Sequence, residues 1–183
     1  MNYRHAIQIG FVSSALLTMP WAQAANLSNA EFYEMKNQIT TQYKTAKAAC
    51  ASMKGNAKDV CVEEAKASEK LARAELQYKY SNKPADQTNV ALVKADGAYA
   101  VAKEKCDDKA GNDKDVCVKE AKAVQTKARV DAQANRQISD ARKEGASEKR
   151  DADYSVATEK CDALVGTAKS NCIASAKVRF GKS

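Results

Sequence analysis

The sequence predicts an all-α protein built from three consecutive disulfide-stapled αα-hairpins, a repeat-like fold with coiled-coil character. Two observations lead to this fold class. Beyond Ser28 the chain is rich in Ala, Lys and Glu and has very few Gly or Pro residues, which is the composition of helix formers. A pattern with one cysteine on each side of a glycine also occurs three times, and it uses all six cysteines of the chain.

The repeated pattern keeps its spacing from one copy to the next. The first copy is Tyr43, Ala46, Cys50, Gly55, Asn56, Lys58, Cys61, Ala65 and Lys66; the second is Tyr99, Ala102, Cys106, Gly111, Asn112, Lys114, Cys117, Ala121 and Lys122; the third is Tyr154, Ala157, Cys161, Gly166, Thr167, Lys169, Cys172, Ala176 and Lys177. The first cysteines lie 56 residues (106 less 50) and 55 residues (161 less 106) apart. This period fits one helical hairpin per repeat.

The first helix is expected to begin at Ser28 or Asn29, either of which can act as its N-cap. Apolar side chains from Phe32 to Cys50 recur at steps of three or four and therefore lie on one stripe of a helix. We expect this helix to run to about Lys54.

The turn of each hairpin is expected at its glycine. Gly55 would end the first helix in the left-handed conformation, and Asn56, with Asp59 three residues later, would cap the second helix in an arrangement like a capping box. The same pattern recurs, more loosely in the third copy, at Gly111, Asn112 and Asp115 and at Gly166, Thr167 and Ser170.

The clearest boundary between hairpins is the segment 81–84, because Pro84 disfavours helix in the preceding residue and is accepted in a first helical turn. We therefore divide the chain into a signal peptide, 1–24, and hairpins at 25–82, 83–144 and 145–183. The segment 143–147 contains only one glycine, so the second and third hairpins are joined by either a kinked or a continuous helix.

The cysteines are expected to form three local disulfides. In every copy the first cysteine lies five residues before the glycine and the second six after it, so both lie roughly 8 Å from the turn, at the same height on facing helices. The expected pairs are Cys50 with Cys61, Cys106 with Cys117, and Cys161 with Cys172. These bridges would offset a thin core, because the chain has few leucines and its helix interfaces must be mostly Ala, Val and Tyr.

Two other roles for the cysteines are weighed against structural bridges. A thiolate metal site needs three or four converging ligands, whereas each hairpin supplies two and no histidine. A catalytic dithiol normally has two residues between its cysteines, and here there are ten. We therefore expect no metal and no cofactor, and keep a redox or metal-handling role as an alternative.

The tyrosine of each repeat precedes the first cysteine by seven residues, with an alanine between them at the spacing of a heptad seam. We expect Tyr43, Tyr99 and Tyr154 to pack across their hairpins with their hydroxyls at the rim. The functional alternative is a row of rings on which a ligand stacks.

The N-terminus has the features of a secretory signal peptide. A short basic region containing Arg4 precedes an apolar run, residues 6–17, and small residues lead to an expected cleavage site after Ala24. The mature chain is therefore expected to be periplasmic or secreted, where disulfides form.

Removal of the signal peptide would leave a chain without histidine or tryptophan. Since histidine is the commonest general base and metal ligand, we expect no enzymatic activity and assign no catalytic residue. Net charge is +7 for the whole chain. Basic residues that could contact an anionic surface are Arg136, Arg142, Lys143, Lys149, Arg150, Lys177, Arg179 and Lys182. Aromatic residues are sparse, so nucleic acid is not an expected partner.

The segments 50–67 and 106–123 share the order Cys, Gly-Asn, Lys-Asp-Val-Cys and Glu-Ala-Lys-Ala. With the export signal and the Ala/Lys-rich helices, they resemble uncharacterised proteobacterial envelope proteins that are loosely labelled TolA-like. The resemblance implies a helical envelope protein and carries no known active residues. We expect a structural, binding or stress-protective role with an envelope protein or polymer as partner, and homo-oligomers are compatible with it. The alternative is a binder of an anionic envelope polymer or membrane surface.

Overall fold

The computed structural model describes residues 27–183, so the expected signal peptide lies outside the described residues. The described chain is helical and contains no strand, which confirms the predicted fold class. The helices are α1 (Asn29–Ala49), followed by a 3-10 turn (Cys50–Ser52), α2 (Gly55–Ser81), α3 (Pro84–Cys106), α4 (Gly111–Cys161) and α5 (Gly166–Phe180).

The five helices form a single layer. Each one packs only against the helices that precede and follow it in the chain, and within residues 27–183 no Cα atoms closer than 8 Å join α1 to α3 or α2 to α4. Hairpin 1 is α1 with α2, hairpin 2 is α3 with the first half of α4, and hairpin 3 is the end of α4 with α5. Because no second layer covers them, both broad faces of the array are open to solvent.

The helix starts follow from local sequence. Ser28 caps α1 with a capping box: its Oγ accepts from the Glu31 N–H at 3.3 Å, and a Glu31 carboxylate oxygen accepts from the Ser28 N–H at 2.8 Å. Asn82 ends α2 in the left-handed region at φ 50°, and Pro84 is the first residue of α3. The predicted boundary at 81–84 is therefore present.

The end predicted for the first helix was wrong by five residues. The α-helix stops at Ala49, and a 3-10 turn follows in which the Met53 N–H donates to the Cys50 carbonyl at 3.1 Å. Such a turn tightens a helix end and satisfies carbonyls that would otherwise be unpaired.

The core is as thin as the composition predicts. Apart from the cysteines, the buried apolar residues are five alanines and two larger side chains: Ala65, Ala74, Ala95, Ala132, Ala176, Ile39 and Leu76. The largest fully buried side chains are the first cysteines of the repeats, Cys50, Cys106 and Cys161. The disulfides therefore occupy the best-packed places in the fold.

Hairpins 1 and 2 meet through small residues on α2 and α3. A Cβ atom added to Gly97 would lie 3.0 Å from the Cβ of Ala67, which is closer than side-chain carbons pack. The missing side chain at Gly97 thus sets how closely the two helix axes approach.

Helix α4 has 51 residues and joins hairpins 2 and 3 without a break. At about 1.5 Å per residue it is roughly 76 Å long. Of the two possibilities that the sequence left open for 143–147, the structure has the continuous helix. Helix α3 covers α4 only as far as Ser139, opposite Pro84, and the chain after α5 returns at Asp151, which pairs with Lys182. Between these points α4 has no neighbour.

Among the described residues, no helix has the length and apolar character needed to cross a membrane.

Candidate functional site: the disulfide-closed hairpin ends

The three hairpin ends have the same covalent geometry. The bridges Cys50–Cys61, Cys106–Cys117 and Cys161–Cys172 each join Cα atoms that are 5.7 Å apart. This separation lies within the usual range for disulfides, and the predicted pairing is confirmed. The predicted left-handed glycines are confirmed too, with φ of 57°, 54° and 59° at Gly55, Gly111 and Gly166.

The capping role predicted for the residue after each glycine was wrong. The glycine itself begins the second helix, so the N-caps are Lys54, Ala110 and Val165, and none makes a side-chain capping bond. Asn56 instead donates from Nδ2 to the carbonyl oxygen of Glu104 at 2.9 Å. It therefore ties the end of hairpin 1 to the end of α3.

Hairpins 2 and 3 carry an ion pair beside the disulfide that hairpin 1 lacks. Lys114 Nζ lies 3.0 Å from Asp107, and Lys169 Nζ lies 2.9 Å from Asp162. Both aspartates directly follow the first cysteine, where hairpin 1 has Ala51. The pairs are solvent-exposed, so each contributes at most about 1 kcal/mol.

The repeated tyrosines are half-buried along their hairpins. The ammonium of Lys122 lies 5.0 Å from the ring centre of Tyr99, and Tyr154 packs edge-on to Phe180 with ring centres 6.3 Å apart. These contacts agree with packing across the hairpin.

A second cross-hairpin contact, which the sequence analysis missed, lies ten residues before each first cysteine. Arg73 donates to Thr40 Oγ1 at 3.0 Å in hairpin 1, Arg129 donates to both carboxylate oxygens of Asp96 at 2.6 and 2.7 Å in hairpin 2, and Lys182 pairs with Asp151 in hairpin 3. Each contact lies about 15 Å from the disulfide and fixes the register of the two helices. The available signal was the recurrence of Arg73 and Arg129 twelve residues after the second cysteine.

Hairpin 2 has the most developed form of this contact. Gln125, the one buried polar residue of the described chain, donates to Asp96 at 2.6 Å and accepts from Lys122 at 2.8 Å. Burial by itself would raise the pKa of Asp96, but the hydrogen bonds from Arg129 and Gln125 and the nearby positive charges hold that pKa below its ordinary value.

A groove of about 660 Å³ lies between α3 and α4 next to this cluster. Its lining is mainly apolar, with alanines, Tyr99 and Val124, and it carries Lys94 and Asp131 as charged residues. The groove adds an accessible concave surface to the array, without a cluster of reactive side chains.

The arrangement as a whole is a set of cross-links. All six cysteines are paired within their own hairpins, which is what an oxidising compartment allows. In residues 27–183 no group of three or more Cys, His, Asp or Glu side chains is placed to bind a metal ion.

Comparisons of the chain with protein-family models, with curated proteins and with solved structures gave no match.

Proposed function

We propose that the chain is an exported, non-catalytic helical repeat protein with a structural or binding role in the cell envelope. The observation that carries this proposal is the identical disulfide at the end of all three hairpins, each closing an otherwise thinly packed unit. Such bridges persist in the periplasm or outside the cell. The single layer supports a binding role, because a partner could reach either face of the array.

The experiment for this proposal follows the chain in a Gram-negative host. We expect a periplasmic fraction that contains a product cleaved after Ala24, with all cysteines blocked to alkylation until a reductant is added. A full-length cytoplasmic product with alkylatable thiols would contradict export. Affinity capture from the periplasm through a C-terminal tag, with a variant lacking hairpin 3 as the comparison, would then identify the binding partner.

A second candidate function, contact with an anionic polymer or membrane surface, is favoured by the uncovered part of α4. Gln125, Lys143 and Cys161 are 18 residues apart, which is five helical turns, so they lie on one side of α4. Gln125 contacts α3 and Cys161 is bonded to α5. Lys143 therefore lies in the gap between α3 and α5, with Arg150 two turns further along.

This candidate is tested with vesicles that contain phosphatidylglycerol. Replacing Lys143 and Arg150 with alanine should reduce co-sedimentation at low salt, whereas replacing Lys36 and Lys44 on α1, which removes the same charge, should change it little. Equal loss in both variants would reduce the interaction to net charge, and no binding to the vesicles would exclude this lipid surface.

A further inference from the structure

The contact between hairpins 1 and 2 provides a template for how such hairpins dock. Helices α2 and α3 run antiparallel, with Ala67 against Gly97 at the closest approach. On one side of this point Glu64 forms an ion pair with Lys105 at 2.9 Å, and further along Asn56 donates to the Glu104 carbonyl.

Both halves of this docking surface recur on α4. Shifting the α2 residues by the first repeat interval of 56 turns Asn56, Glu64 and Ala67 into Asn112, Glu120 and Ala123. Shifting the α3 residues by the second interval of 55 turns Gly97, Glu104 and Lys105 into Ala152, Glu159 and Lys160. The ion-pair residues and the asparagine are retained, and the small residues at the closest approach stay small.

These two halves cannot meet within the structure of one chain, because they belong to the same helix. Asn82 and Pro84 interrupt the helix between hairpins 1 and 2. The positions 56 residues later are Ile138 and Asp140, which continue α4. The α4 helix therefore presents the outgoing surface of hairpin 2 and the incoming surface of hairpin 3 about 40 Å apart and both uncovered.

The two halves form one continuous face of α4. At about 100° per residue, the following positions lie within roughly 80° of arc; they are Asn112, Val116, Glu120, Ala123, Lys127, Val130, Ala134, Ile138, Ala141, Gly145, Glu148, Ala152, Val156 and Glu159. We call this set the outer face of α4. Ala134 is nine residues, two and a half turns, from both Gln125 and Lys143, so the outer face points away from α3 and α5.

The outer face exposes apolar side chains along its whole length. Val116 is 43%, Val130 56%, Ile138 50% and Val156 55% exposed. Gly145 has no atom within 4 Å of the position of a Cβ, so its surface is open as well.

We propose that the outer face of α4 binds a second copy of this chain, with the two α4 helices antiparallel. Aligned on the α2–α3 template, Ala123 of one copy faces Ala152 of the other, and the two-fold axis passes between Gln137 and Ile138. The same register places Ala134 against Ala141 and Val130 against Gly145. Every contact occurs twice, as a two-fold interface requires.

Charge complementarity argues for a second copy as the occupant. Leu71 and Val93 line one groove between α2 and α3, and their equivalents on α4 are Lys127 and Glu148. In the antiparallel register Lys127 of each copy faces Glu148 of the other, and Glu120 comes near Lys160 as Glu64 does near Lys105. The outer face is thus complementary to itself when it is reversed.

The test is a charge exchange read by sedimentation equilibrium of the oxidised mature chain. Lys127→Glu and Glu148→Lys should each raise the dimer Kd by about tenfold or more, because each sets two like-charge contacts in the interface. The double variant Lys127→Glu/Glu148→Lys should restore dimerisation. Lys143→Glu makes the same charge change as Lys127→Glu on the opposite side of α4 and should leave the Kd unchanged.

Three results would overturn the proposal. The first is a monomer at all concentrations for the unchanged chain. The second is failure of the double variant to regain the affinity that each single variant loses. The third is a monomer whose thermal stability, rather than its mass, responds to the charge exchange, since this would mean that α4 breaks near Gly145 and hairpin 3 folds back onto hairpin 2.

Discussion

The bridge in hairpin 3 should decide whether α5 stays folded, because α5 has no other support. Its 15 residues contact only α4, and Ala176 is its one buried residue apart from the region of the bridge. An isolated helix of this length is marginal in water. In the chain-entropy model, closing a loop between cysteines 11 residues apart contributes about 3 kcal/mol. Losing it shifts the folding equilibrium of α5 by roughly a hundredfold.

Replacing Cys161 and Cys172 together with alanine tests this estimate. Circular dichroism should lose about the share of helix that 15 residues supply, and amide hydrogen exchange should become fast across Gly166–Phe180 while α1–α3 stay protected. The matched control replaces Cys50 and Cys61. Helix α2 also packs against α3, so it should remain protected in the control and unfold only at a lower urea concentration. Unchanged protection of α5, or equal loss of protection in both variants, would refute this reasoning.

Two further predictions concern α3. Gly97→Leu should destabilise the chain by about 1–3 kcal/mol in urea unfolding, because its Cβ already meets that of Ala67, and an unchanged midpoint would mean that the helices separate freely. Asp96 has a lowered pKa, so its contribution to stability is present above its unfolded value of 3.8 and is lost as the pH falls through the lower folded value. Asp96→Asn should therefore be less stable at pH 7 and lose less stability on acidification; equal pH profiles would show that Arg129 gives no net stabilisation.

The disulfide pattern could be predicted because its causes are local. The position of Gly55 midway between its cysteines requires a turn, and a turn there places the cysteines side by side at one height. The same argument failed for Asn56. A positive φ at the first residue of α2 moves the N-cap back to Lys54, which leaves the asparagine side chain free to reach Glu104 in another hairpin.

The contacts between Arg73 and Thr40 and between Arg129 and Asp96 could not be chosen from sequence among many similar pairs. Lys, Arg, Asp and Glu make up 29% of the chain, so helical spacing alone offers a partner for most charges. Only the observed packing angle of each hairpin selects the pairs that meet, and in hairpin 2 it also buries Gln125 among them.

By itself, the sequence determined the all-α class, the three hairpins and their disulfides, because composition, glycine position and cysteine spacing act over a few turns of helix. The tertiary structure decided how the hairpins are arranged. Close packing of Gly97 on Ala67 joins hairpins 1 and 2 side by side, whereas the uninterrupted α4 holds hairpins 2 and 3 apart. This difference depends on the balance between continuing a helix through Ile138 and breaking it to bury a second small-residue interface, and that balance is set by packing across the whole array.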